Sequence, residues 1–202
     1  MTLAAYIAAA MLSWSPAREH VPDLPADTEA RYALIAGDIA AVAEDEREAP
    51  LPVGDRSRAQ SALVLASVAF FESRFWTWVD DGSCNSRTWR AAHHADAAVC
   101  DGSHAFSMWQ IHTEAQAGFD GIALDESGWH HDAEGLRGRD LINDRRAAAR
   151  VALHMLRQSL TAGHGGGMCG YTGESQMTGC VKGKARLELA LRYRREHTDA
   201  AR

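Results

Sequence analysis

Residues 63–76, with the sequence LVLASVAFFESRFW, form the segment that most constrains how this chain can fold. No charged residue lies between Ser61 and Phe71, and the run ends at a single acid, Glu72. At helical spacing Glu72 shares a face with apolar residues such as Leu65. Because a helix this free of charge is hydrophobic on every side, we expect it to be the buried central helix of the domain.

Glu72 is the one acid at the end of this apolar helix. A carboxyl group held in apolar surroundings prefers its neutral form, which is the form that a general acid needs near neutral pH. The helix alone also allows a simpler interpretation, in which Glu72 turns outward to solvent or pairs with Arg74. The choice between the two depends on the other motifs of the chain.

The length and the proline distribution predict one main domain preceded by a shorter segment. With 202 residues the chain can form a single domain with a sizeable core. All five prolines lie before residue 53 and divide that part of the chain into short pieces. We therefore expect residues 1–55 to be an N-terminal helical segment that packs on a main domain of residues 56–202.

Helical signals recur along the chain, whereas strand signals are weak. A helix is predicted over 28–48, and a capping box of Ser57 and Gln60 opens the apolar helix. Two further helices are predicted over 143–160 and 184–197. The irregular stretch after the apolar helix supports at most a small β-hairpin. The predicted fold class is therefore mostly α.

The four cysteines fall in two local pairs, Cys84 with Cys100 and Cys169 with Cys180. Each pair brackets a loop-like segment, which suits two disulfides formed in an oxidising compartment. Reduced, buried thiols are the alternative. A zinc site is a third interpretation, although no spacing here matches a zinc pattern. The histidines near the first pair are His93, His94, His104 and His112.

The N-terminal residues 3–14, LAAYIAAAMLSW, are apolar and are followed by Ser15-Pro16-Ala17. This pattern suits the end of a signal peptide, but no Lys or Arg precedes the apolar run. A packed helix explains the run equally well. The run is too short to span a bilayer, and we expect no membrane span elsewhere in the chain.

The net charge of −6 is unevenly distributed, since residues 136–202 carry thirteen basic and six acidic residues. Such a region suits an anionic polymer, either nucleic acid or a bacterial wall, or simply a set of solvated helix faces. No helix-turn-helix, RNA-recognition or zinc-finger signature is present, so nucleic acid is not an expected partner. P-loop and serine-hydrolase motifs are not found either.

Four short motifs carry the functional signal, and they follow one another in a fixed order. In chain order they are Glu72-Ser73 at a helix end, Ser107-Met108-Trp109-Gln110-Ile111, Asp140-Leu141 at a helix start, and Tyr171-Thr172-Gly173 at the start of a loop. Together they resemble the motifs of the lytic transglycosylases and their relatives, the goose-type lysozymes.

The resemblance covers residues 58–196 and is incomplete. Ser107 and Trp109 stand where the family has glycine and methionine, and only Tyr171 agrees with the family in the last motif. The resemblance implies a lysozyme-like α+β fold, in which a catalytic glutamate ends a buried helix.

Carried over by position, the resemblance implies that Glu72 is the general acid/base. Ser73 would orient that carboxyl or the acetamido group of the substrate, Gln110 would line the sugar groove, and Tyr171 would hydrogen-bond near the glutamate. The other substrate-binding residues that it implies are Ser107, Met108 and Ile111. The structural alternatives are a loop-bridging amide for Gln110 and a packed ring for Tyr171.

In this family one carboxyl group is enough to cleave the bond between N-acetylmuramic acid and N-acetylglucosamine in peptidoglycan. The implied product is a 1,6-anhydro sugar, and neither a metal nor an organic cofactor is implied. A hydrolytic lysozyme would need a second carboxylate to position water. The candidates for it are Asp80, Asp81, Asp96 and Asp101. A wall-binding or virion structural protein of the same fold, without the chemistry, is a further alternative.

The resemblance also implies a partner and a place of action. The expected partner is the peptidoglycan glycan strand, which a monomer would bind. The expected place is the periplasm or the cell wall, reached by export or by phage delivery.

Overall fold

The described part of the chain is mostly α-helical. The computed structural model describes residues 1–17, 25–95, 99–112, 136–161, 168–174 and 179–198. The helices are α1 (Leu3–Trp14), α2 (Pro25–Glu44), α3 (Arg58–Ser73), α4 (Thr77–Asp80), α5 (Arg87–Ala92), α6 (Gly138–Asn143), α7 (Arg145–Thr161) and α8 (Val181–Glu196). Two antiparallel strands, β1 (Ala105–Phe106) and β2 (Ile111–His112), form a small hairpin. The predicted fold class, mostly α with at most a small hairpin, is confirmed.

Helix α3 is the central helix, as its composition predicts. It begins after Ser57, whose hydroxyl accepts a hydrogen bond from the backbone N–H of Gln60. Nearly all its residues from Gln60 to Phe70 are buried, and it packs against α1, α2, α7 and α8. From Ala59 to Phe71 the helix carries no charge, and this mostly apolar stretch is stabilised by burial.

The first two helices pack onto α3 and onto each other. Helix α1 buries Tyr6, Ile7 and Met11 completely. Helix α2 begins at Pro25 and ends at Glu44, earlier at both ends than the predicted 28–48. Leu34, which helical spacing assigns to the apolar face of α2, is instead 66% exposed.

The C-terminal helices differ from their predicted bounds. The predicted helix over 143–160 corresponds to α7, which begins at Arg145 and ends at Thr161. The short helix α6 precedes it and is separate from it because Asp144 between them has an extended backbone. The Asp144 carboxylate accepts a hydrogen bond from the backbone N–H of Ala147 and so caps α7. Helix α8 begins at Val181, three residues before the predicted start.

Both local cysteine pairs are disulfides, Cys84–Cys100 and Cys169–Cys180, so the prediction of two local disulfides is confirmed. Disulfides are typical of proteins in oxidising compartments. Among the helices of the described residues, none combines the length and the apolar character that crossing a membrane requires.

Gly138 and Gly37 differ in how closely other atoms surround them, and alanine substitutions test this difference in packing. A Cβ atom at Gly138 would overlap the fully buried ring of Phe106, whereas a Cβ atom at Gly37 in α2 would meet nothing within 4 Å. We expect Gly138→Ala to lower the free energy of unfolding by about 1–3 kcal/mol through overpacking. Gly37→Ala, the matched control, should raise it by roughly 0.5–1 kcal/mol. Urea denaturation measures both, and equal effects of the two variants would contradict the packing described.

Candidate functional site

A groove of about 410 Å³ opens beside the C-terminal end of α3. We call it the Glu72 groove. It is lined by Glu72, Gln110, His112, Met155, Gly170, Tyr171, Thr172, Gly173, Lys182 and Arg186. A larger cavity of about 770 Å³ lies between the first turns of α1 and α3, and none of the motif residues lines it. The Glu72 groove is therefore the candidate site.

Glu72 forms an ion pair with Arg186 of α8. The Nε and Nη2 atoms of Arg186 lie 3.0 and 2.5 Å from Oε1 of Glu72. Their side chains are 8% (Arg186) and 21% (Glu72) exposed. The Glu72 carboxyl group therefore lies beside a guanidinium, whereas the apolar helix predicts apolar surroundings for it. The alternative partner, Arg74, lies over the ring of Phe70 instead.

Arg186 is the functional residue that sequence reasoning missed. Its Nη1 donates to the carbonyl of Lys182 at 2.9 Å, and its guanidinium lies 5.1 Å from the ring centre of Phe71. Its own carbonyl accepts a 2.6 Å hydrogen bond from the buried hydroxyl of Ser67 in α3. Helical spacing is the signal that could have identified Arg186, because it places this residue on the same buried face of α8 as Ala190.

Tyr171 reaches the groove from the loop that precedes α8. Its hydroxyl donates to the carbonyl oxygen of Trp109 at 2.7 Å, rather than to Glu72. Burial raises the pKa of Tyr171 well above its ordinary value, and the charge of Glu72 adds to this effect while Arg186 opposes it. The hydroxyl therefore stays protonated and acts as a hydrogen-bond donor.

Gln110 lines the groove from the turn between β1 and β2. Its backbone is left-handed, with φ 48°. Its Nε2 donates to the carbonyl of Ser107 at 3.0 Å and lies 3.7 Å from Sγ of Cys100. The amide therefore bridges its own loop, as the structural alternative predicts, and also faces the groove.

The other predicted substrate-binding residues do not line the groove. Met108 and Ile111 are buried in the core. The hydroxyl of Ser73 donates back to the backbone of α3, and the buried hydroxyl of Ser107 accepts from its own turn. Within residues 107–111 only Gln110 is partly exposed, and the other four residues are buried.

The candidate carboxylates for hydrolysis are in different environments. Asp80 is 10% exposed and is paired with arginines, and Asp81 caps the turn that follows α4. Asp101 is exposed and lies 3.5 Å from His112, which lines the groove. Asp96 lies outside the described residues. Of the described candidates, only Asp101 is therefore connected to the groove.

A zinc site finds no support in the described residues. The four cysteines are in disulfides and so cannot supply thiolate ligands. His93 stacks on the ring of Trp89 instead of facing other histidines. No group of three or more potential His, Cys, Asp or Glu ligands occurs in the part of the chain that the structure describes.

Glu174 is a second residue that sequence reasoning missed. Its carboxylate accepts hydrogen bonds from the backbone N–H groups of Lys182 at 3.0 Å and Gly183 at 2.9 Å, and from the hydroxyl of Thr172 at 2.8 Å. It thereby caps α8 from a distance, which explains why this helix begins before Lys184. Although burial raises the pKa of Glu174, these hydrogen bonds lower it below its ordinary value.

The lowered pKa of Glu174 predicts a pH-dependent contribution to stability. A carboxylate whose pKa is depressed by folding stabilises the protein above its unfolded value, and that contribution is lost as the pH falls through the folded value. We expect Glu174→Gln to be less stable than the wild type at pH 7. The urea midpoints of the variant and the wild type should converge as the pH falls below about 4, the range in which carboxyl groups ordinarily titrate. A difference between the two midpoints that does not change with pH would contradict the capping role of Glu174.

None of the protein families, curated proteins and solved structures compared with this chain matches it.

Proposed function

We propose that this protein cleaves the β-1,4 bond between N-acetylmuramic acid and N-acetylglucosamine in peptidoglycan, with Glu72 as the general acid/base. The observation that carries the proposal is the convergence of Glu72, Gln110 and Tyr171 in one groove. These residues come from three motifs that are far apart in sequence. A partly exposed carboxylate beside amide and hydroxyl groups suits a sugar substrate, which offers many hydroxyl partners.

The ion pair fixes the position of Glu72 in the groove. Arg186 donates two hydrogen bonds to Oε1 of Glu72, so the carboxyl group is held in one orientation beside the space that a glycan would fill.

The proposed reaction needs one carboxyl group. Protonated Glu72 donates its proton to the glycosidic oxygen, and the bond from that oxygen to C1 of the muramyl ring breaks. The 2-acetamido group of the substrate stabilises the resulting oxocarbenium-like centre. The Glu72 carboxylate then accepts the proton of the 6-hydroxyl group, whose oxygen closes onto C1. The product is a 1,6-anhydro end, and no water is consumed.

Hydrolysis is the second candidate reaction, and the contact of Asp101 with His112 at the groove favours it. A carboxylate at that edge could orient an imidazole or a water molecule toward C1. The glycan would then end in a free reducing sugar. In either reaction the cell wall or periplasm is the proposed place of action, which agrees with the two disulfides.

Glu72→Gln tests the proposed chemistry. The amide keeps the shape of the side chain but cannot donate or accept the required proton, so release of muropeptides from purified sacculi should fall by at least about 100-fold. Glu188→Gln, which changes an exposed carboxylate of α8, is the matched control and should keep full activity.

Mass spectrometry of the released muropeptides separates the two reactions, since anhydro ends indicate a transglycosylase and reducing ends a hydrolase. If the folded wild type leaves sacculi intact from pH 4 to 8, the enzymatic proposal is wrong and the non-catalytic alternative is favoured.

Arg186→Gln tests the role of the ion pair. Without the guanidinium, Glu72 loses the two charge-assisted hydrogen bonds that hold its carboxyl group in the groove, so release of muropeptides should fall by roughly 10-fold. Arg192→Gln, at an exposed position of the same helix, is the control and should release muropeptides as fast as the wild type. Unchanged release by Arg186→Gln would show that the pair does not position the acid.

A further inference from the structure

The Cys169–Cys180 disulfide joins two segments that both contribute to the Glu72 groove. On one side, residues 168–174 carry Tyr171 and other groove-lining residues. On the other side, Cys180 is the residue immediately before α8, the helix that presents Arg186. The disulfide therefore lies between a wall of the groove and the ion-pair partner of Glu72.

Within the described residues, two further contacts join these segments close to the disulfide. The carboxylate of Glu174 caps the first turn of α8, as described above. Gly183 approaches Met168 so closely that a Cβ atom would lie 3.0 Å from the Met168 carbonyl carbon. Both contacts reach α8 within three residues of Cys180, at Lys182 and Gly183.

The backbone at the disulfide is itself strained. Cys180 has a left-handed conformation, with φ 55°, at the N-cap of α8, and its side chain makes no capping hydrogen bond. This conformation disfavours any residue with a Cβ atom. Without the cross-link the chain can leave this conformation, and Glu174 then loses its alignment with the N–H groups of α8.

We propose that the Cys169–Cys180 disulfide is a redox switch that assembles the Glu72 groove. Oxidised, it holds Tyr171 and the first turn of α8 in place. Reduced, it frees residues 168–174 and the first turn of α8 from each other, and the binding of glycan is lost, whereas Arg186 stays anchored to α3 through Ser67. The part concerning glycan rests on the proposed function, whereas the conformational part does not.

The reductant is a dithiol of the thioredoxin or dithiothreitol class. One of its thiolates attacks a cystine sulfur, which breaks the S–S bond and forms a mixed disulfide. The second thiolate of the reductant then attacks the reductant's own sulfur in this mixed disulfide and displaces the cysteine sulfur. The dithiol is thereby oxidised to a disulfide, and its two electrons and two protons pass to Cys169 and Cys180, which become thiols. In a cell, a wall-cleaving protein would then be latent where thiols are kept reduced and active where disulfides form.

Hydrogen exchange measured by mass spectrometry tests the switch without any substrate. The full-length protein is compared in four forms: oxidised, reduced with dithiothreitol, Cys169→Ser/Cys180→Ser, and Cys84→Ser/Cys100→Ser as the matched control. We expect the amides of Lys182 and Gly183 to exchange about 100-fold faster in the reduced and Cys169→Ser/Cys180→Ser forms. The reason is that a disulfide between residues 11 positions apart favours the folded form by roughly 100-fold, because it restricts the unfolded chain. The control variant should keep them protected, and the amides of α3 should stay protected throughout.

The outcomes are distinguishable from a failure of the proposed function. Unchanged protection at Lys182 and Gly183 after reduction overturns the switch, as does an equal loss of protection in α3, which would mean global unfolding. If the double variant does not fold, reduced wild-type protein provides the same comparison. If reduction causes only local loss of protection and the oxidised protein cleaves no glycan, the proposed switch is supported and the proposed enzymatic function is wrong.

Discussion

The ion pair between Glu72 and Arg186 is the interaction on which the candidate site depends. Helix α3 is enclosed by four other helices because it carries almost no polar surface, and Glu72 is the acid at its end. A charge at the edge of a core requires a counter-charge, since an unpaired one is costly to desolvate. Arg186 meets this requirement and is itself 8% exposed, so each residue needs the other.

The walls of the groove are formed by segments whose backbones are held in unfavourable conformations. Gln110 and Cys180 have positive φ angles, and each is adjacent to or part of a disulfide: Gln110 contacts Cys100, and Cys180 bonds to Cys169. Strained backbone persists only where surrounding structure enforces it, and it is frequent at functional sites. A disulfide adjoins each of these two positions.

Much of the fold could be predicted because it depends on local patterns. Ser57 begins α3 through a hydrogen bond within one turn, and the uncharged composition of that helix required its burial. The spacing of the cysteines suited local disulfides, and both formed. Of the site residues, Glu72, Gln110 and Tyr171 do share one groove. Leu34 shows the limit of such patterns, since periodicity gave it an inward face that packing left exposed.

The sequence by itself determined a helical protein with one uncharged central helix that ends in an acid. Only the tertiary structure decided the partner of that acid, because Arg186 and Glu72 lie 114 positions apart and any of many arginines could have met it. It also decided that Glu174 caps α8 and that Met108 and Ile111 point into the core. The physical reason is the sequence distance over which each interaction acts. Helix caps and hydrophobic periodicity involve residues only a few positions apart. Ion pairs and groove walls depend instead on which distant segments come together when they pack on α3.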